Sequence, residues 1–253
     1  MKVVLLWAMP ALCLSMQPLA YARGSVPHSE PRPSGSGLQR RSESGTLDDA
    51  RNRQDRPALE QIVAERTRLA QQQPSSAEAQ YRLAEASSYL AEVVLELRDR
   101  PTAKAAAETG IRAAERAVAL NPRSAEYQRI LGTLCGQVIP ANVLLALRYG
   151  ECARRSIDKA LELDPASAKA YLSRGVGNYY LPPAFGGGVE KAIGDFERAA
   201  RLDPRLADAY LWLGIALRKA GRKVEARQAI ARSLELNPHR VWAKQQLEKT
   251  PAL

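Results

Sequence analysis

Few side chains in this chain could do chemistry of their own. Only two histidines, His28 and His239, and three cysteines, Cys13, Cys135 and Cys152, occur among 253 residues. His28 lies in a Gly/Ser/Pro/Arg-rich stretch and His239 in a turn signal, so both read as exposed surface residues. Asp48-Asp49 reads as a solvated pair beside that stretch, not a general acid/base dyad. Phe185-Gly186-Gly187-Gly188 precedes a helical pattern starting at Val189, and backbone N–H groups at such a start can hold a phosphate. No Lys-Ser/Thr pair follows it, and a helix rather than a strand precedes it, so a tight, close-packed turn is the expected role. No nucleophile–base arrangement, carboxylate pair or metal-ligand spacing stands out. The sequence therefore predicts a non-enzymatic protein with no catalytic residues, no metal and no cofactor.

The elements that must carry any binding surface begin after a distinctive N-terminus. Lys2 is the only charge before Arg23, Val3 to Leu14 is an apolar run, and Ala20-Tyr21-Ala22 has the small-x-small form of a cleavage site. Pro10, Ser15, Gln17 and Pro18 interrupt the apolar character before it reaches bilayer-spanning length. Residues 1–22 are thus expected to be a cleaved signal peptide, with the mature protein periplasmic or secreted. Residues 23–54 hold clustered Gly, Ser, Pro and Arg and almost no large apolar residue, and are expected to be a disordered basic linker. Its charge also suits peripheral contact with an anionic envelope surface. The formal net charge of +10 is compatible with acidic proteins, lipid head groups or nucleic acid, and export argues against nucleic acid.

From residue 55 to 253 the chain repeats itself. Segments ending in Pro74, Pro122, Pro165, Pro204 and Pro238 share an ending such as ALELDP, and these prolines lie 48, 43, 39 and 34 residues apart. Proline cannot continue a helix, and Asn or Asp before it favours a turn. Helices are predicted near 56–73, 77–98, 102–120, 124–137, 148–163, 167–180, 189–202, 206–220, 223–236 and 240–248. Within the last full unit stand Tyr210, Leu213, Gly214, Leu217, Ala226, Ile230 and Pro238, and the unit before has Tyr171, Gly175, Ala192, Phe196 and Pro204. This pattern and the final spacing of 34 resemble the tetratricopeptide repeat (TPR). The resemblance covers roughly residues 56–249. It implies an all-α TPR helical solenoid: about four helix pairs, an N-terminal half repeat and a C-terminal cap helix.

Relative to a 34-residue unit, the first three units carry 14, 9 and 5 additional residues, placed by register at the turn between the two helices of each unit. The first continues helix 77–98, the second spans about Gln137 to Leu147, and the third is Leu181 to Gly188. Insertions in a solenoid share one face, so one edge is expected to be enlarged and apolar.

The resemblance also implies a concave groove lined by the first helix of each unit. Glu78, Tyr81, Glu85, Tyr89, Glu126, Arg129, Thr133 and Gln137 fall there in the first two units. Lys169, Leu172, Val176, Tyr179, Tyr180, Asp208, Leu211, Ile215, Arg218 and Lys219 follow, with the lip residue Phe185 beside them. Apolar residues stand where the chaperone-binding members place carboxylate-clamping Lys, Asn and Arg, so such a clamp is not expected. Two readings stay open for the apolar stripe: packing against the protein's own insertions, and a partner protein or peptide anchored on aromatic side chains. The functional expectation is a protein–protein interaction scaffold of unidentified partner. The alternative is a solenoid holding a small apolar ligand or lipid under the insertion edge.

Cys135 and Cys152 lie equally far from one turn of a helix pair, and an oxidising compartment would favour a disulfide, with two buried thiols the other reading. Arg174 stands where the repeat expects Leu. It either pairs with Asp195 on the facing helix or extends outward to solvent.

Overall fold

The computed structural model describes residues 47–251. The expected signal peptide, Cys13, His28 and most of the expected linker lie outside the described residues. Eleven helices run through the described part, with no strand among those residues. They are α1 (47–52), α2 (Arg56–Gln72), α3 (Ala77–Glu96), α4 (Arg100–Leu120), α5 (Ala125–Val138) and α6 (Ala146–Leu163). The remainder are α7 (Ala168–Tyr180), α8 (Val189–Leu202), α9 (Ala207–Lys219), α10 (Lys223–Leu236) and α11 (Val241–Glu248). Helices α3 to α10 form four antiparallel pairs, preceded by α2 and followed by α11.

Each start and stop has a local cause. The side chains of Asp55, Ser76, Asp99, Ser124 and Ser167 accept hydrogen bonds from backbone N–H groups three residues on, satisfying donors that a first helical turn leaves open. Helices α4, α6, α8 and α10 stop at Asn121, Asp164, Asp203 and Asn237, each followed by proline. Between the helices of a pair, close approach needs a missing side chain. A Cβ on Gly175 would lie 2.5 Å from Phe196 Cε1, and one on Gly214 would lie 2.5 Å from Ile230 Cγ1 and 2.7 Å from the Ala226 carbonyl. Phe196 and Ile230 are fully buried and fill the space so created.

The insertions take three forms. The first lengthens α3 and α4 to 20 and 21 residues, so that unit gains two long helices and no loop. The second forms two short 3₁₀ turns, Ile139–Ala141 and Val143–Leu145. The third forms one, Pro183–Phe185, closed by Gly186 in the left-handed region at φ 87°. All three sit at the same end of their helix pairs.

One boundary differs from expectation. Residues 47–54 are not linker. Leu47 and Ala50 are buried in the main core cluster and Arg51 is nearly so. An isolated segment with two apolar residues would not fold, but here it lies against α3.

Candidate functional site

Two surfaces invite binding: the concave groove and the edge carrying the intra-unit turns. The groove is largely taken by the protein itself. In its N-terminal half the first helices are joined by polar contacts. The Tyr81 hydroxyl lies between Glu85 and Glu126, 2.9 and 3.0 Å away, with its one proton to share, and Arg129 holds Glu126 by two bonds of 2.6 and 2.7 Å. Burial, with Glu126 and Glu85 alongside, pushes the Tyr81 hydroxyl well above its usual range. Burial would raise Glu126 too, but Arg129 outweighs it and holds that carboxyl below the usual range. Thr133 reaches Ser173 at 3.0 Å and Ser88 reaches Gln137 at 3.1 Å, continuing the polar seam from α3 to α7.

Across the groove, α1 and the start of α11 meet α3. Arg51 makes a two-pronged contact to Glu92, Nε to Oε2 at 2.9 Å and Nη2 to Oε1 at 2.6 Å. Its Nη2 also lies 2.8 Å from Asp208 Oδ2 on α9, and its guanidinium sits 4.9 Å from the Tyr89 ring. Arg240, at the N-terminus of α11, is 1% exposed. It donates to the Arg51 carbonyl at 3.1 Å, to Glu92 at 2.9 Å and to both oxygens of Glu96. Asn237 bonds Asn52, and Gln245 bonds Gln54. Residues almost 190 positions apart thus close the groove into a ring. Burial pushes the Glu96 carboxyl up to about 7, Arg240 opposing and Glu92 adding. Glu92, despite its burial, is held below the usual carboxylate range by Arg51 and Arg240.

This closure corrects part of the sequence expectation. Leu211 is 0% exposed and Ile215 5%. Both pack with Ile230 and Ala243, under Trp242 and Leu247 of α11, and cannot meet a partner. Arg218 is engaged as well: it bonds the Gln246 carbonyl, the Gln246 side chain and Thr250, tying α11 down. Leu172, Val176 and Tyr179 are half-buried against the neighbouring cluster. Lys219 is exposed but donates to the Tyr179 carbonyl at 3.0 Å and lies 4.2 Å from its ring. Of the readings left open for the apolar stripe, self-packing holds for Leu211 and Ile215, and the covering element is the cap helix rather than an insertion.

The edge is different. Tyr180 is 64% exposed and Phe185 75%. Leu97, Leu144, Leu147, Leu181 and Val224 are exposed at the corresponding turns of the four units. Tyr180 stands edge-on to Tyr179 and Trp212, whose rings continue to Phe196 and Trp242. An exposed aromatic is thereby held by a packed aromatic ladder. Exposed Arg98, Arg100, Arg148, Arg222 and Lys223 stand at the same turns.

Several other residues singled out in the sequence lie near these surfaces. Cys135 and Cys152 join α5 to α6 as a disulfide, with Cα atoms 6.0 Å apart. Arg174 pairs with Asp195, its Nη2 2.6 Å from Oδ1, and Asn178 donates to the same carboxylate. Asp48, Asp49 and His239 are exposed. The Arg51–Glu92–Glu96–Asp208–Arg240 network was not read from the sequence, because nothing local says that residues so far apart meet.

With this geometry, comparison with known proteins is informative. A family model described as regulator of microtubule dynamics protein 1-3 matches residues 46–181, more than half of the chain. This chain belongs to that family. A tetratricopeptide-repeat model matches residues 185–240, and the chain is a TPR-superfamily protein. The family match starts at residue 46, so α1 lies within the family unit. Small glutamine-rich tetratricopeptide repeat-containing protein 2 of Mycosarcoma maydis is 33% identical over 90 residues, 36% of this chain. The matched part spans only 24% of that relative. Among solved structures, a thermophilic TPR protein of Thermus thermophilus superposes with a TM-score of 0.58 at 20% identity, covering 82% of this chain and 98% of that one. The HusA haemophore of Porphyromonas gingivalis gives 0.59 at 19% identity, covering 74% and 96%. At these identities the likeness is one of fold.

Proposed function

We propose that this protein is a non-enzymatic scaffold, exported to the periplasm or beyond the cell, that docks a partner protein on its insertion edge. The TPR fold itself suggests protein–protein interaction. The observation that carries the finer reading is the contrast between a groove shut by α1 and α11 and an edge on which Tyr180 and Phe185 stand exposed. Contiguous exposed apolar side chains mark interaction sites, and aromatic anchors dominate their energetics. The cations Arg98, Arg100, Arg148 and Lys223 at the same turns favour a partner segment that sets acidic residues beside its apolar anchors.

The test is affinity capture from the native cell envelope with wild type, Tyr180→Ala, Phe185→Ala and, as a control, Thr109→Ala in the middle of α4. Loss of the same captured protein in both aromatic variants and its retention in the control support the reading. Wild-type capture by both aromatic variants, each shown to be folded, refutes it. If the captured material is lipid rather than protein, the small apolar ligand reading takes its place. Export is checked separately: N-terminal sequencing of protein from the native host should begin after residue 22.

A further inference from the structure

The seam where the two ends of the solenoid meet is unequally charged. Arg51 of α1, Glu92 and Glu96 of α3, Asp208 of α9 and Arg240 at the start of α11 form one connected cluster. It sets three carboxylates against two guanidinium groups, and no side chain in it is more than 20% exposed. With every carboxyl ionised, one negative charge is left over in a place where an uncompensated charge is unfavourable. One bound proton balances the cluster. The geometry selects Glu96 to carry it. Glu92 accepts from both guanidinium groups, Arg51 at 2.6 and 2.9 Å and Arg240 at 2.9 Å. Asp208 lies 2.8 Å from Arg51 Nη2, and it and Glu92 keep more access to water. Glu96 is 4% exposed and shares its one cation, Arg240, with Glu92. Its other partner is neutral: Gln54 Nε2 donates to Glu96 Oε2 at 2.8 Å. A protonated carboxyl becomes a donor and needs an acceptor. The seam can supply one, because Gln245 Nε2 donates to Gln54 Oε1 at 3.1 Å, placing two amides in series with Glu96. When both amides turn over, Gln54 presents its oxygen to the Glu96 O–H and its N–H to the Gln245 oxygen. Both protonation states are thus satisfied with no helix moved. Burial lifts the Glu96 carboxyl to about 7, Arg240 opposing and Glu92 adding, in keeping with this count.

We infer that the seam closing the ring is a proton-binding site, in which Glu96 holds one proton in the folded protein and that proton strengthens the joint between α1, α3 and α11. The effect has a definite sign. An unfolded glutamate ionises near about 4.3, whereas folded Glu96 keeps its proton up to about 7. The stabilisation is complete below the unfolded value and is lost as pH rises through the folded one. Glu92 and Glu126, held below the usual carboxylate range, lose their contribution only at lower pH, so the two effects occupy different windows. The helices stay in place throughout, and what changes is how firmly the ring is joined. The seam is separate from the edge, so this inference and the docking reading stand or fall independently.

The test uses the full chain and two readouts. In a carbon-13 NMR titration of the side-chain carboxyls of wild type, assigned through the backbone, Glu96 should show a midpoint above about 6, well clear of the usual glutamate range. In urea unfolding, the folding equilibrium constant of wild type should fall at least about tenfold between about pH 5.5 and about pH 8. Glu96→Gln carries the neutral form permanently, and its amide can donate to the turned Gln54. Its equilibrium constant should change less than about threefold over the same range and exceed that of wild type at about pH 8. A Glu96 midpoint in the usual carboxylate range would overturn the inference, and so would an equal fall in both chains. If Glu96→Gln does not fold, the carboxyl titration of wild type decides alone.

Discussion

The two edges of this solenoid are built from the same helices and differ in every physical respect. At one edge lie the turns between units, Pro74, Pro122, Pro165, Pro204 and Pro238, with their Ser, Asn and Asp caps. At the other lie the turns within units, with Leu97, Leu144, Leu147, Tyr180, Leu181, Phe185 and Val224 exposed beside arginines and lysines. Of the exposed large apolar residues among the described residues, only Leu120, barely exposed at 36%, is at the first edge. The first edge is shaped by what helix ends require: capped donors and a residue that halts the helix. The second carries inserted residues that no helix end needs. Structure explains one edge completely, and the other holds apolar surface in excess of what folding uses.

That contrast can be broken or sharpened by substitution. The largest expected effect is on the second edge's own scaffold. Removing the Cys135–Cys152 bond, which spans a sequence separation of 17, should cost about 3 kcal/mol by loop-closure entropy. For a domain of this size that is roughly a 6–12 °C fall in melting temperature, read by calorimetry of Cys135→Ser with Cys152→Ser. An unchanged melt would mean that the insertion is already ordered without its cross-link. Next, Tyr180→Ala or Phe185→Ala should each weaken partner binding by about 2 kcal/mol, roughly thirtyfold, with the melting temperature moved little. A large melting shift for Phe185→Ala would show that its exposed ring is a structural residue. The first edge should respond in the opposite sense. Ser76→Ala, Ser124→Ala or Ser167→Ala should each lower stability by about 1 kcal/mol in denaturant titration and leave partner binding untouched. Smallest of all, Lys223→Ala should slow association a few-fold at low salt, with the difference fading as ionic strength rises in stopped-flow measurements.

The repeat edges were legible because their causes are local. A proline after Asn or Asp halts a helix whatever surrounds it, so the predicted helices agree with the structure to within about two residues at nearly every end. Gly175 opposite Phe196 and Gly214 opposite Ile230 were legible for a related reason: a helix pair of fixed spacing has one place where only glycine fits. The third insertion's exposed Phe185 followed from register alone.

What the sequence by itself determined, then, is everything periodic: the all-α TPR solenoid, its helix pairs, and the edge on which the insertions stand. What only the tertiary structure decided is what fills the concave face. Leu211 and Ile215 occupy groove positions by register, yet α11 covers them. Arg51 sits in a segment whose composition reads as linker, yet it is held by Glu92 and Asp208, and Arg240 crosses to Glu96. The physical reason is curvature. Each unit's rotation on the next is small and set by packing details, but it accumulates until the first and last helices touch, and no local pattern records where that sum will end.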